Sequence, residues 1–415
     1  MATVNLYVND PLNGSSGPQC QYFVVRKKRL CRMTVRPGRQ YCGEHEPQPK
    51  TVDGQDDSRI PCPNDPKHTV YVSKLEKHLT ICNARATKQP PYIVPNINSP
   101  PKTEIFVRTP LSGISKEIIA QVVNKINFLY EKHVKDNITT AQEHPIHGTV
   151  MEEFSENDRA ESSLRHLRQV SSLLWLAEDE GLVADDTCYV ELGAGKGHLS
   201  YYACNAWCAE GSGSAALLVD RASLRHKRDN KLRARCQRLR ADLAHLALQH
   251  VPLLASCRAV VGLAKHLCGV ATGDFTSYLR SLFVHIDYAL RCITAEGVVD
   301  KTRGIVLATC CHHRCEPALT RACSQELGIS GAELGVMLGV VSWATCGSGR
   351  GRGAGEGADA GAGTRAGAGR RAKRLLDWAR VLFLRERGFA ATLCRFVAPA
   401  VSPENICIVA SKPAS

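Results

Sequence analysis

The sequence predicts an α/β domain built on a parallel β-sheet, preceded by two small metal-binding modules. Three observations support this prediction. From Cys188 onward, short apolar runs (CYVELG, AALLVD, RAVVGLA, GIVLATC) alternate with helical stretches, which is typical of βαβ units. Residues 20–82 are dense in cysteine and histidine, and a glycine-rich turn, ELGAGKG, ends the first apolar run.

The composition favours a polyanionic partner. The 415 residues carry a formal net charge of +13, which favours nucleic acid or an anionic membrane surface as the partner, and 44% of them are hydrophobic, which supports a sizeable core. No apolar run reaches the roughly 20 residues of a transmembrane helix, and the chain begins without a secretory signal. We therefore expect an intracellular protein of the nucleus, the cytoplasm or both, with no membrane contact. Its 19 cysteines are expected to be reduced thiols or metal ligands, and nothing indicates an obligate protein partner.

Composition and hydrophobic spacing divide the chain into segments. The predicted segments are a disordered N-terminus (1–19), a first metal module (20–46), a second metal module (59–85), a Pro-rich linker (86–112), a helical connector (113–187) and the α/β domain (188–415). In the connector, apolar residues recur at helical spacing from Ile114 to Leu129, and SSLRHLRQVSSLLWLAEDEGLV predicts a second helix. Residues 347–369 are rich in glycine and alanine and predict a low-complexity surface insertion.

The second metal module has four ligands in the order Cys-His-His-Cys. Cys62 and His68 lie in a Pro-rich turn, while His78 and Cys82 are four residues apart and would share one face of a helix. Thiolate and imidazole donors match a tetrahedral Zn²⁺ site. A segment this short cannot bury enough apolar surface to fold alone, so the metal would supply its folding energy. The alternative is four unrelated polar residues on a surface.

The first metal module offers a Cys₃His set, which is Cys20, Cys31, Cys42 and His45. The short Cys42–His45 spacing suits one metal ion, whereas the wide gaps before it weaken the signal. Seven Lys or Arg residues and three aromatic residues (Tyr22, Phe23, Tyr41) are interleaved in this module. Cations for phosphates and rings for base stacking suit RNA, although a solvated basic face is the common alternative. We therefore expect two structural zinc ions.

The glycine-rich turn reads acidic-x-Gly-x-Gly-x-Gly, from Glu191 through Gly193 and Gly195 to Gly197. Glycines let a backbone approach a ligand at a helix N-terminus, and an acid just before them suits a cationic amino-acid group. Asp220 ends the second apolar run, where it would accept hydrogen bonds from ribose hydroxyls. Asp242 is expected near an adenine amino group. The alternative is a tight βα turn that binds nothing.

Two further motifs follow apolar runs, VVGLAKHLCG and LATCCHHRC. Loops at the carboxyl ends of parallel strands line the active site in such folds. Lys265 is our first candidate for a proton acceptor and His266 the second. The cluster of His312, His313 and Arg314 could bind phosphate or orient a nucleotide. A third zinc site there is not expected, because adjacent residues at one strand end cannot all reach one ion.

A basic run, RASLRHKRDNKLRARCQRLR, covers residues 221–240 and holds nine Lys or Arg residues. We expect it to form a basic helix that touches the substrate. A solvated helix face is an equally acceptable interpretation.

The glycine loop, Asp220 and the strand–helix alternation resemble the Rossmann-like class I S-adenosylmethionine-dependent methyltransferases. KHLCG, CCHHRC and SWATCG, behind two zinc modules, resemble the eukaryotic tRNA 2′-O-methyltransferases that modify nucleotide 4 of the acceptor stem. The resemblance implies methyl transfer from S-adenosylmethionine to a ribose 2′-hydroxyl of cytidine or adenosine, in tRNAs such as those for proline, glycine and histidine. It also implies that the zinc modules help to hold the tRNA acceptor stem.

The sequence departs from the family pattern at two places, and two alternative functions remain open. Residues 273–286 insert beside the proposed active site, and the glycine-rich stretch 347–369 replaces a more polar spacer. One alternative is a base 5-methyltransferase in which Cys310 or Cys311 attacks a pyrimidine. The other is an RNA-binding protein whose methyltransferase fold no longer catalyses.

Overall fold

The computed structural model describes most of the chain in two compact units, Met1–Gln89 and Pro90–Ser415. The described residues are 18–24, 29–43, 45, 58–82, 84–85, 89–99, 110–222, 224, 227–232, 235–265, 285–309, 326–344 and 364–412. His266, His312, His313 and Arg314 lie outside these ranges, as does nearly all of the insertion 273–286. Among the described residues, no helix combines the length and apolar character needed to cross a bilayer.

The first unit contains two small antiparallel ribbons and one short helix. Strands β1 (Phe23–Val24) and β2 (Arg29–Leu30) form one ribbon, and β3 (Arg59–Cys62) and β4 (Asp65–Tyr71) form the other, followed by α1 (Leu75–Ile81). In the first module the buried cluster consists of Val35 and the three cysteines Cys20, Cys31 and Cys42. The candidate metal ligands therefore form most of the core that this module has.

The second unit is an α/β domain around one eight-stranded sheet. Its strands are β5 (Ile138–Thr140), β6 (Thr187–Leu192), β7 (Ala215–Asp220), β8 (Cys236–Arg240), β9 (Ala259–Lys265), β10 (Thr302–Ala308), β11 (Ala390–Arg395) and β12 (Ile406–Ser411). Their order is β5-β11-β12-β10-β9-β6-β7-β8, and all neighbours are parallel except β12, which is antiparallel to β10 and β11. This is the Rossmann-like architecture predicted from the sequence, with the strand order reversing between β6 and β9.

Helices cover both faces of the sheet, which explains why the central strands β6, β7, β9 and β10 are mainly apolar and buried. The helices are α2 (Lys116–His133), α3 (Gly148–Phe154), α4 (Glu161–Asp179), α5 (His198–Trp207), α6 (Pro252–Ser256), α7 (His285–Ile293), α8 (Gly331–Val341) and α9 (Arg365–Arg385). One face packs against α2, α7, α8 and α9, and the other against α3, α4 and α5. Along β6, Val190 points into the first of these cores and Tyr189 into the second. Helix α9 begins inside the predicted insertion 347–369.

The segments expected to be a connector and a linker contribute to this domain. Within 113–187, β5 adds a parallel edge strand to β11, and α4 buries Leu167 and Val170 against the sheet. Within 86–112, the Val94 amide donates to the His245 carbonyl at 2.8 Å. The Asn98 side-chain amide donates to two further carbonyls of the adjacent turn, at 2.6 and 2.8 Å. Residues 90–99 therefore form a strap that is fixed to the domain.

A buried ion network connects α9 to α7 and to the end of β10. Arg380 is 1% exposed, and its guanidinium donates to Asp287 of α7 at 2.9 Å and to Asp377 at 2.8 Å. The Thr309 hydroxyl, just after β10, donates to the other oxygen of Asp377 at 2.9 Å. One cation thus fixes the start of α7 and the end of β10, which border the segments 266–284 and 310–325.

We expect Arg380→Met to destabilise the second unit by about 3–5 kcal/mol at neutral pH, because two carboxylates would stay buried without their cation. Urea unfolding followed by tryptophan fluorescence measures this, since all four tryptophans (Trp175, Trp207, Trp343, Trp378) lie in the second unit. Arg303→Met, at an exposed position of β10, is the matched control. A loss below about 1 kcal/mol, the size of a surface ion pair, would contradict the role of the network.

Candidate functional site

The glycine loop connects β6 to α5 at the carboxyl edge of the sheet. Gly193, Gly195 and Gly197 all adopt positive φ, at 73°, 52° and 73°. A Cβ on Gly197 would lie 2.8 Å from a Leu218 methyl, so this glycine is required for packing. A Cβ on Gly195 would meet no atom within 4 Å, so the loop leaves open space there for a ligand to approach the backbone.

Asp220 at the end of β7 contacts this loop directly. One of its carboxylate oxygens accepts the Gly195 amide at 2.7 Å, and the other accepts the Ala222 amide at 2.7 Å. Each oxygen keeps a further lone pair for a ligand hydroxyl. Asp242, after β8, accepts the Ala244 amide at 3.0 Å and begins a short 3₁₀ turn. The structure therefore brings Asp220 to the glycine loop, while Asp242 starts the turn that the strap 90–99 contacts.

Glu191 is buried beneath the loop. It is 3% exposed, and one carboxylate oxygen accepts both the Ser200 amide, at 2.9 Å, and the Ser200 hydroxyl. Burial raises the pKa of Glu191 to about 7, although the hydrogen bonds from Ser200 oppose that rise. Glu191 thus ties the start of the glycine loop to the first turn of α5.

Lys265 ends β9, the neighbour of β6, and is 8% exposed. Its Nζ lies 2.5 Å from Nδ1 of His166 in α4, within hydrogen-bond distance. Burial lowers the pKa of Lys265 to about 7, and the nearby Glu191 carboxylate opposes this fall. A substantial fraction of this amine is therefore neutral at physiological pH, as a proton acceptor requires.

Two histidines near Lys265 were not predicted from the sequence. The His166 ring meets the His198 ring edge to face, with centroids 5.0 Å apart. Burial lowers the pKa of His198 to about 4, and Arg228 adds to this effect. His198 directly follows the glycine loop, which was a usable signal. His166 lies in a helix that was assigned to the connector, and no motif in the surrounding sequence marked it as a site residue.

Ion pairs hold the loop that follows β7 against the glycine loop. Arg228 pairs with Glu153 of α3 through two nitrogens, and this contact lowers the pKa of Glu153 to about 2. The Arg238 guanidinium binds both oxygens of Asp229 at 2.8 Å and also donates to the Gly195 carbonyl at 3.0 Å. The predicted basic helix over 221–240 is wrong: this stretch contains a 3₁₀ turn (Arg228–Lys231) and strand β8. Two of its arginines, Arg228 and Arg238, instead form ion pairs with Glu153 and Asp229.

The two predicted metal sets each converge on one point. In each set the four ligand atoms lie within 4.8 Å of one another. In the second set, the distances are 3.7 Å from Cys62 Sγ to Cys82 Sγ and 3.1 Å from His68 Nε2 to His78 Nε2. In the first set, Nδ1 of His45 lies 3.6 Å from Cys20 Sγ and 3.3 Å from Cys42 Sγ. Tetrahedral zinc with bonds of about 2.0–2.3 Å places its ligand atoms roughly 3.3–3.8 Å apart. Three of the four distances lie in this range and the fourth, between the two imidazole nitrogens, is slightly shorter, so both sets suit zinc after a small adjustment.

The fold and these sites together define a Rossmann-like, S-adenosylmethionine-dependent methyltransferase preceded by two zinc fingers. The family model "Methyltransferase TRM13" matches residues 168–411. The models "CCCH zinc finger in TRM13 protein" and "U11-48K-like CHHC zinc finger" match residues 18–46 and 59–83. The chain belongs to the TRM13 methyltransferase family.

The chain is also similar to individual relatives and to solved structures. The chain is 30% identical over 472 residues to the human "tRNA:m(4)X modification enzyme TRM13 homolog", with 94% of each chain covered. It is 29% identical over 481 residues to the mouse homolog, with 96% of this chain and 95% of the relative covered.

Among solved structures, a precorrin-6y C5,15-methyltransferase from Geobacter metallireducens GS-15 aligns with a TM-score of 0.28 and 15% identity, over 65% of this chain and 100% of that one. The plantazolicin methyltransferase BpumL gives a TM-score of 0.28 and 8% identity, over 72% and 100%. Both scores are too low to transfer a residue's role.

We expect two zinc ions per purified chain, and one after the double change Cys62→Ser with Cys82→Ser, because that change removes two ligands of one set. Inductively coupled plasma mass spectrometry measures the metal content. Cys236→Ser, at a cysteine outside both sets, should leave both ions in place. Finding no zinc in the unmodified chain, or two ions in the double variant, would refute the assignment.

Proposed function

We propose that this chain transfers a methyl group from S-adenosylmethionine to the ribose 2′-hydroxyl of nucleotide 4 in the acceptor stem of tRNA. The substrates would be tRNAs such as those for proline, glycine and histidine, with cytidine or adenosine at that position. The relatives' printed name, "tRNA:m(4)X modification enzyme", supports a methylated nucleotide in tRNA. The observation that favours the ribose is Lys265, a buried amine at the end of β9, beside the glycine loop.

Ribose methylation requires a base, because a hydroxyl is a weak acid and a weak nucleophile. S-adenosylmethionine would supply an electrophilic methyl group on its sulfonium. Lys265 would take the hydroxyl proton, since burial leaves much of its amine neutral. The backbone around Gly195 and the carboxylate of Asp220 would hold the cofactor, and Asp242 would lie toward its adenine. His266 remains the second candidate for the proton acceptor.

The first zinc module has the surface expected for an RNA-holding element. Phe23 and Leu30 are direct cross-strand partners on one face of the β1–β2 ribbon, and they are 52% and 55% exposed. Between residues 18 and 43 the sequence has seven Lys or Arg residues and no acidic residue. Exposed apolar and aromatic groups within a purely basic segment suit stacking with nucleotides whose phosphates pair with the cations.

The test compares two versions of one tRNA, one with ribose and one with 2′-deoxyribose at nucleotide 4. We expect methyl incorporation only into the ribose version, with the adjacent 3′ phosphodiester becoming resistant to alkali. Both assays use the full chain with radiolabelled S-adenosylmethionine. Incorporation into the deoxy version would show that the base is the target. A covalent adduct with 5-fluoropyrimidine RNA would point instead to a cysteine nucleophile.

We expect the single-turnover rate to rise with pH and to level off above about 7, because the Lys265 amine is a proton acceptor only when neutral.

Lys265→Met should lower the single-turnover rate by about 10²-fold or more while cofactor affinity persists. Asp220→Ala should do the opposite and weaken binding of S-adenosylhomocysteine, measured by calorimetry. The exposed Lys116→Met is the control. Near-normal turnover of Lys265→Met would move the role to another residue.

A further inference from the structure

We propose that His166 is a positioning residue for methyl transfer: with its Nδ1 unprotonated, it accepts a hydrogen bond from Nζ of Lys265, 2.5 Å away, and thereby directs the amine's lone pair at the substrate hydroxyl. This inference rests on the proposed function, in which Lys265 receives the proton. Neither the motif around Lys265 nor the family match assigns a role to His166. The two residues are 99 positions apart in sequence and meet only through the fold.

The contact is held by rigid elements on both sides. Lys265 is the last residue of β9, a fully buried central strand. His166 lies in the first half of α4, which is anchored on the sheet by Leu167 and Val170, at 1% and 0% exposure. The short Nζ–Nδ1 distance of 2.5 Å therefore joins a strand and a helix whose relative position is fixed by packing. A flexible lysine side chain gains a defined direction from such an acceptor.

The neighbouring ring limits how His166 can turn. His198, at the start of α5, meets the His166 ring edge to face, with centroids 5.0 Å apart and planes at 82°. Within the described residues, Nδ1 of His198 is buried and has no hydrogen-bond partner. Since burial keeps His198 neutral near pH 7, it packs against His166 without adding a positive charge beside Lys265. Glu191, when ionised, supplies the nearby negative charge that favours the lysine ammonium.

The chemistry of the pair balances through one proton transfer. A neutral amine has two N–H groups and one lone pair. When one N–H donates a hydrogen bond to Nδ1 of His166, the lone pair stays free for the ribose hydroxyl. When the hydroxyl proton moves to that lone pair, Lys265 becomes an ammonium and the ribose oxygen keeps the electron pair for its new bond to carbon. The same Nδ1 then accepts a hydrogen bond from the ammonium, and such charge-assisted bonds are stronger than neutral ones. His166 thus serves Lys265 before and after the transfer.

A double-mutant cycle separates this role from simple packing. We expect His166→Leu, which fills the volume without an acceptor, to lower the single-turnover rate by about 10- to 100-fold. His166→Asn, whose amide oxygen can replace Nδ1, should recover most of the rate. In the Lys265→Met background, His166→Leu should have no further effect, because the group it positions is gone. The exposed His250→Asn is the matched control.

A second measurement needs no substrate or cofactor. Acetic anhydride labelling across a pH series, read by mass spectrometry, gives the midpoint at which the Lys265 amine becomes reactive, with the exposed Lys196 as an internal reference. His166→Leu should lower the Lys265 midpoint, because a buried ammonium that loses its acceptor is less stable. His166→Asn should leave it close to that of the unmodified chain.

Three outcomes would overturn the inference: equal rate losses for His166→Leu with and without Lys265, no rescue by His166→Asn, or an unchanged labelling midpoint in His166→Leu. Failure of the proposed function is distinguished by the deoxyribose substrate, which reports the methylated atom whatever the cycle shows. If methyl incorporation persists on that substrate while the labelling midpoint still shifts, the ribose assignment is wrong and the Lys265–His166 contact stands.

Discussion

The arrangement of the site depends on the burial of the Lys265 amine. Removing a lysine from water disfavours its charged form, so the surrounding protein decides how basic the amine remains. Strand β6 brings Glu191 close from one side, through its parallel pairing with β9. Helix α4 brings His166 from the other side. The connector helix is therefore a part of the second unit, since α4 supplies the side chain that meets the Lys265 amine.

The glycine loop depends on electrostatic contacts of a different kind. Arg238 binds Asp229 and the Gly195 carbonyl, while Arg228 binds Glu153 of α3 and its own amide donates to the Lys196 carbonyl at 2.9 Å. These pairs join the loop after β7, the glycine loop and α3. Because the side chains are largely buried, their attraction is screened less than that of a surface pair. The positive-φ glycines permit the loop conformation, and the ion pairs select it.

The sequence was informative where one local pattern determines the structure. Apolar runs predicted β6, β7, β9 and β10, and the Cys-His-His-Cys spacing predicted the ligand set of the second module, because strand burial and metal chelation both leave short-range patterns. The sequence was uninformative about contacts between side chains that are distant in sequence. His166 looked like one polar residue of an amphipathic helix, and Arg380 looked like one of many arginines in α9. The basic run after Asp220 predicted a helix, yet pairing of β8 with β7 and the ion pairs of Arg228 and Arg238 determine its conformation.

The two units also differ in what stabilises them. The second unit has two apolar cores on the faces of its sheet, whereas the buried residues of the first module are chiefly the cysteines that would bind zinc. A module with so little apolar core is folded only when its ligands share a metal, so its stability depends on zinc. The geometry around Lys265 is built entirely from residues of the second unit and has no such dependence. On the proposed function, loss of zinc would therefore weaken the hold on RNA and leave the proton acceptor and its partner in place, so substrate binding and the chemical step are separately stabilised in this chain.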